Sequence, residues 1–227
     1  MNGLVDARER GFTLIELLVA AAIIAILAAL LFPVFTEAKR SSQCRCCQSG
    51  LRQLAVATAL YVDAYGGRYP IQTEDGVADW NAPTAALNWA KALERYVRNG
   101  RIPVCPCSTK LSDCKTNCSM RMSGASYPIS YLGNGMVFST GFTDAMTRRA
   151  SSTLLFQCGG RTWNKCWLAP AKDDEYGEWV SYTSPSWCNH VGGTNLAFVD
   201  SHIEWRSYGK LSGDLSIFDP AGVSGKR

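Results

Sequence analysis

Gly11-Phe12-Thr13-Leu14-Ile15-Glu16-Leu17-Leu18-Val19 opens an apolar run that continues to Phe35. From Leu17 to Phe35 no residue carries a charge. At ~1.5 Å of helical rise per residue, a run of this length is about enough to cross the hydrocarbon core of a bilayer. One carboxylate, Glu16, sits near its start. An ionised group is costly in lipid, so an acid at that position marks a function. A secretory signal would have a shorter apolar region with its cleavage site after it. Here the suitable cut lies before the run, and a plain anchor has no use for Glu16.

The hexamer Gly11-Phe12-Thr13-Leu14-Ile15-Glu16 resembles the processing site of type IV prepilins and type II secretion pseudopilins. In that family a peptidase cuts after the glycine and the new N-terminal residue is N-methylated. The glutamate five residues into the mature chain then pairs with the N-terminal amine of a neighbouring subunit. The resemblance implies cleavage between Gly11 and Phe12, methylation of Phe12, and an assembly role for Glu16. It also implies three partners: the inner membrane, the prepilin peptidase/methyltransferase, and other pilin-like subunits in a homo- or hetero-oligomer. A Glu16–amine pair between helices would act as a register device, formed only when neighbours are correctly staggered.

The resemblance fixes the expected organisation. Residues 1–11 form a leader and 12–35 the transmembrane segment. Residues 36–66 form the soluble half of the same helix, and 67–227 a globular domain. Charge alone does not orient the span: the leader is nearly neutral, and Lys39, Arg40 and Arg45 follow the apolar run. The resemblance orients it, with the leader in the cytoplasm and the domain outside. Of 227 residues, about 190 lie beyond the span, enough for one domain with a real core. The net charge of +4 is mild, and no basic run or aromatic groove points to nucleic acid.

Leu51-x-x-Leu54-Ala55-x-x-Thr58-x-x-Tyr61 has helical period, and Gly66-Gly67 is a helix stop. One long helix from Phe12 to about Tyr65 follows, with Pro33 as a kink or local opening and Gly50 as a weak point. A second helix is expected over 84–97. Strands are expected at 126–132, 152–156 and 178–182. The clearest strand pair is the hairpin of 194–199 and 202–206, turning at Asp200-Ser201. A two-residue turn would pair Phe198 with Ile203 and Leu196 with Trp205, all four on the buried face. The tail 209–227 reads as loop. The fold class is α+β, a type IV pilin-like long helix on a small antiparallel sheet.

The segment from His190 to Trp205 is similar to the C-terminal signature of one bacterial prepilin-type family: a histidine, nine residues, then Asp-Gly (H-X9-DG). His190 and Asp200 have that spacing, with Ser201 in place of the glycine. Leu31-Phe32-Pro33-Val34-Phe35, Tyr69-Pro70, Cys105-Pro106 and Ser130-Tyr131-x-x-Asn134 agree with the same family.

Ten cysteines suit an exported, disulfide-bearing domain. Cys105, Cys107, Cys114 and Cys118 offer disulfides or, less in keeping with an oxidising compartment, a metal site. Cys44, Cys46 and Cys47 lie within a helical turn of one another and would bond to the globular domain or to another subunit. His190, Asp200 and His202 together resemble a metal or acid–base site, but a turn-bracing Asp200 and a hydrogen-bonded His190 account for them more simply. No nucleophile accompanies them, so no enzyme is expected, and no cofactor or metal. Asp173-Asp174-Glu175 reads as a solvated loop.

Overall fold

The computed structural model describes residues 12–71, 89–97, 104–107, 119–122, 125–128, 130–138, 142–159, 167–168, 190, 192–212 and 215–218. The leader, the strand expected at 178–182, Cys114, Cys118 and the acidic loop lie outside them. The chain divides into two units, one ending at Ser42 and the other beginning at Gln43.

The first unit is the apolar half of α1, a helix of 51 residues, Leu14–Ala64. Thr13 and Glu16 start it with a capping box. The Glu16 backbone N–H donates to Thr13 Oγ1 (3.3 Å), while the Thr13 N–H and hydroxyl donate to Glu16 Oε2 (2.9 and 2.7 Å). The exchange satisfies donors that the first helical turn leaves without partners. The apolar side chains that follow are exposed, as expected of a helix whose solvent is lipid. The helix is continuous through Pro33 and Gly50, so neither ends it. Thr36 donates its hydroxyl to the Pro33 carbonyl at 2.8 Å.

The second unit begins with the polar half of α1. Cys47, Leu51, Leu54, Ala55, Thr58 and Val62 are buried along one stripe at helical spacing. Thr58 returns its hydroxyl to the Leu54 carbonyl at 2.9 Å, so the stripe buries no free donor there. Gly66 and Gly67 take positive φ, and the Gly67 N–H bonds the Val62 carbonyl at 2.8 Å. That is the Schellman closure expected from the two glycines.

Four antiparallel strands form the sheet against this stripe: β3 (Tyr131–Asn134), β4 (Leu154–Cys158), β6 (Gly193–Phe198) and β7 (Ile203–Ser207). The short β5 (Trp167–Leu168) joins β3 in parallel at the edge. A separate hairpin pairs β1 (Ser119–Met122) with β2 (Ala125–Pro128). The segment expected as one strand at 126–132 is thus split between β2 and β3. The second helix is described over Trp89–Leu93 as α2, with Trp89, Ala90, Leu93 and Val97 buried. Trp89 packs on Phe156 and Phe138, at ring-centre distances of 4.8 and 6.2 Å. A Cβ on Gly133 would stand 2.7 Å from Phe138 and 3.0 Å from Trp89, so glycine is required beneath them.

The sheet has a core on each face. Leu155, Phe156, Tyr131 and Ala197 join the α1 side, while Leu132, Leu154, Leu196 and Phe198 join Leu211 and Ile217 on the other. A register shift between Leu154 and Phe156 lets the consecutive Leu155 and Phe156 enter the same core on the α1 side. The tail was expected as loop, but α3 (Tyr208–Ser212) and a 3-10 turn (Leu215–Phe218) carry Leu211 and Ile217 onto the outer face.

The β6–β7 register also differs from the expected one. Ala197 faces Ile203, Leu196 faces Glu204 and Asn195 faces Trp205. The loop is three residues long, because the Phe198 N–H bonds the His202 carbonyl (3.0 Å) and the Ser201 N–H bonds the Phe198 carbonyl (2.9 Å). Ser201 takes φ +69°, the left-handed position of a three-residue hairpin loop. The one-residue change puts Trp205 beside Asn195 instead of Leu196, away from the outer core, and it is 44 % exposed.

Leu54→Ala should destabilise the domain by about 2–5 kcal/mol, because it opens a cavity under a fully buried side chain. Leu60→Ala, on the exposed side of the same helix, should stay within ~0.5 kcal/mol. Thermal or denaturant unfolding of the detergent-solubilised protein checks the contrast.

Candidate functional site

Among the described residues, two places gather candidate functional groups. The first is the start of α1. Phe12 is exposed, and Glu16 is held by Thr13 in the capping box. Gly11 lies outside the described residues.

The second is buried in the globular unit. Cys47, Cys105, Cys158 and His190 bring three sulfurs and one imidazole nitrogen within 4.8 Å of one another. All four residues are buried. They come from four separate elements. Cys47 is on the α1 stripe, one turn before Leu51. Cys105 begins the Cys105-Pro106-Cys107 turn. Cys158 ends β4, on the same face as Phe156 and opposite Tyr131. His190 bridges to Gly193 at the entry to β6. Its Nε2 lies 3.5 Å from the Cys158 sulfur and 3.6 Å from that of Cys105.

Polar groups surround the cluster. Tyr131 donates its hydroxyl toward the Cys47 carbonyl (3.4 Å) and sulfur (3.7 Å). The Cys107 backbone N–H bonds the Cys105 sulfur. The Asn195 amide lies 3.1 Å from His190 Nε2 and donates to the Cys44 carbonyl at 3.5 Å, while Gln48 donates to Asn195 Oδ1 at 3.1 Å. Tyr208 donates to the His190 carbonyl at 2.8 Å and fixes that backbone. Burial pushes the Cys158 thiol up. Cys47 moves the other way: the Cys105 and Cys158 thiols donate to its sulfur and hold it well below the ordinary thiol range.

Of the thiols grouped by sequence, Cys105 is in this cluster and Cys107 stands beside it, its sulfur 3.9 Å from Gln43 Oε1. Among the described residues, Cys44, Cys46, Cys47, Cys105, Cys107 and Cys158 are free thiols, while Cys114 and Cys118 lie outside them. The structure also separates His190 from Asp200. They mark the two ends of β6. Asp200 instead accepts from the His202 backbone N–H (3.2 Å) and pairs with the His202 ring (2.5 Å), bracing the turn. Cys47 and Cys158 were not singled out with His190 by sequence reasoning. The signal for Cys47 was its place four residues before Leu51, on the stripe that the helix buries.

The path that delivers His190 depends on two glycines. Gly192 has φ +75°, and a Cβ on Gly193 would stand 2.2 Å from the Arg206 carbonyl oxygen.

Residues 6–32 match the profile of the prokaryotic N-terminal methylation motif. No curated protein and no solved structure matches the chain. The matched segment contains the Gly11-Phe12 junction and Glu16 and extends through most of the apolar run. Together with the exposed apolar helix, it gives the chain a prepilin-type N-terminus that fits a single-pass membrane anchor.

Gly193→Ala should cost about 2–3 kcal/mol, because the clash is with backbone and cannot be relieved by a rotamer change. Gly192→Ala meets open space and should cost only the ~1–2 kcal/mol of a left-handed alanine. Comparing the two melting curves checks that order.

Proposed function

We propose that the chain is a structural subunit of a type IV pilus-like or type II secretion pseudopilus-like assembly. The observation that carries this is the methylation motif over 6–32, coincident with an apolar helix that is exposed throughout its span-length window. Prepilin peptidase would cut between Gly11 and Phe12, and Phe12 would be N-methylated. The cleaved subunit would wait in the inner membrane with its globular domain outside, then join other pilin-like subunits through α1. His190 and Asp200 read as the H-X9-DG signature of one prepilin-type family.

Glu16 is the assembly acid in this reading. In the isolated chain it closes on Thr13. In an assembly it would exchange that bond for the N-terminal ammonium of a neighbour. A buried ion pair of this kind contributes specificity of stagger more than stability. The exposed apolar half of α1 supplies the surface that neighbouring helices would cover.

The intact mass and N-terminal residue of the native protein test the proposal, taken from membranes and from a sheared surface fraction. A chain beginning at N-methyl-Phe12 in the sheared fraction is the expected result. A chain still beginning at Met1 and confined to membranes would sink the processing claim. A processed chain that never leaves the membrane and never crosslinks through α1 would point to the alternative, a monomeric anchored binding domain. Glu16→Gln separates the two roles of the acid: glutamine can still close a capping box but brings no charge. Assembly should fail in both Glu16→Gln and Glu16→Ala. Normal assembly in Glu16→Gln would leave the ion pair without support.

A further inference from the structure

We propose that Cys47, Cys105, Cys158 and His190 form a closed, four-coordinate structural zinc site that clasps α1 to the sheet. The inference does not rest on the pilin reading. It stands on ligand type, spacing, burial and surroundings.

Structural zinc takes four cysteine or histidine ligands in a tetrahedron, and Cys3His is one of its recurrent sets. With Zn–S near 2.3 Å and Zn–N near 2.0–2.1 Å, a sulfur and a nitrogen on one ion stand about 3.5–3.6 Å apart. The two sulfur-to-His190 distances are 3.5 and 3.6 Å. All four ligand atoms fall within 4.8 Å of one another, which suits one ion and is too tight for the terminal ligands of a binuclear cluster. A disulfide explains the group less well. It would consume two of the three thiols and leave the third, with the imidazole, unaccounted for. Four ligands also fill the tetrahedron, so no position is left for substrate and the site is structural.

The surroundings suit thiolates. Three thiolates and a neutral imidazole on Zn2+ carry one net negative charge in a buried place. The Tyr131 hydroxyl and the Cys107 N–H point donors at the Cys47 and Cys105 sulfurs and offset part of that charge. An N–H from two residues on is what the Cys105-Pro106-Cys107 turn supplies. Tyr208 holds the His190 backbone. On ligation, each thiol gives up its proton to solvent, and zinc replaces the Asn195 amide at His190 Nε2. The ion would then tie α1, the Cys105 turn, the end of β4 and the entry to β6 to one point.

The test uses the full-length chain, extracted in detergent and purified without chelator. Elemental analysis of wild type should find about one zinc per chain. Zinc is then exchanged for Co2+, whose strong visible bands and sulfur-to-cobalt charge transfer report tetrahedral thiolate ligation. Cys158→Ser should lose that spectrum, and Cys46→Ser, at an exposed thiol on the same helix as Cys47, should keep it. Wild-type stoichiometry and spectrum need no variant to fold. Wild type that takes up neither metal, a cobalt spectrum without sulfur charge transfer, equal loss in Cys46→Ser, or a mapped disulfide within Cys47, Cys105 and Cys158 would each overturn the assignment. Neither readout depends on cleavage or polymerisation, so failure here and failure of the subunit reading are distinguishable.

Discussion

The buried stripe of α1 from Cys47 to Val62 is the surface on which the globular unit is laid down. Residues of β3, β4 and β6 meet it directly, and α2 closes the same core through Trp89. An isolated helix gains little from propensity, and its stability comes from the face it buries. The same stripe decides what the sheet must present: Phe156, Cys158 and Tyr131 inward, with Leu132 and Leu196 left for a second core. That second core is what α3 and the 3-10 turn Leu215–Phe218 pack on. A sheet apolar on both faces needs a cover on each, and Leu211 and Ile217 supply the outer one.

α1 belongs to two environments. Before Ser42 its apolar side chains are exposed all round, and from Gln43 they are sorted onto one side. The change in pattern needs no break in the backbone. It is written in side-chain chemistry alone, with Lys39 and Arg40 at the transition. A uniform apolar surface suits a lipid solvent or other helices in lipid, and a one-sided stripe suits a folded partner.

Local chemistry was legible in the sequence where one stretch of chain decides the outcome. The apolar run, the helical period after Leu51 and the two glycines that end α1 are features of this kind, as is the presence of a hairpin at Asp200. The hairpin register was not legible. Alternation reads equally well with a two- or three-residue loop, and what separates them is one residue, Ser201, in the left-handed conformation. The cysteine cluster was less legible still. Cys105, Cys107, Cys114 and Cys118 attract attention by nearness in sequence, whereas the structure groups Cys105 with thiols and an imidazole from distant segments. Nothing local marks Cys158, because its place is set by the phase of β4 after the shift at Leu154–Phe156. In this chain His190 and Asp200 stand at opposite ends of one strand, β6. The spacing measures β6 and does not describe a shared site.

In the proposed assembly, the closed loop between Thr13 and Glu16 would serve a lone subunit as a latch. A carboxylate facing lipid with no donor would be an expensive resting state, and the two bonds from Thr13 would offset part of that cost. The latch would also set a threshold. A neighbour that arrives off-stagger would open the latch and return nothing, whereas one that brings its terminal amine to the right depth replaces the lost bonds. Error rejection in such an assembly would begin inside each subunit, before any two of them touch.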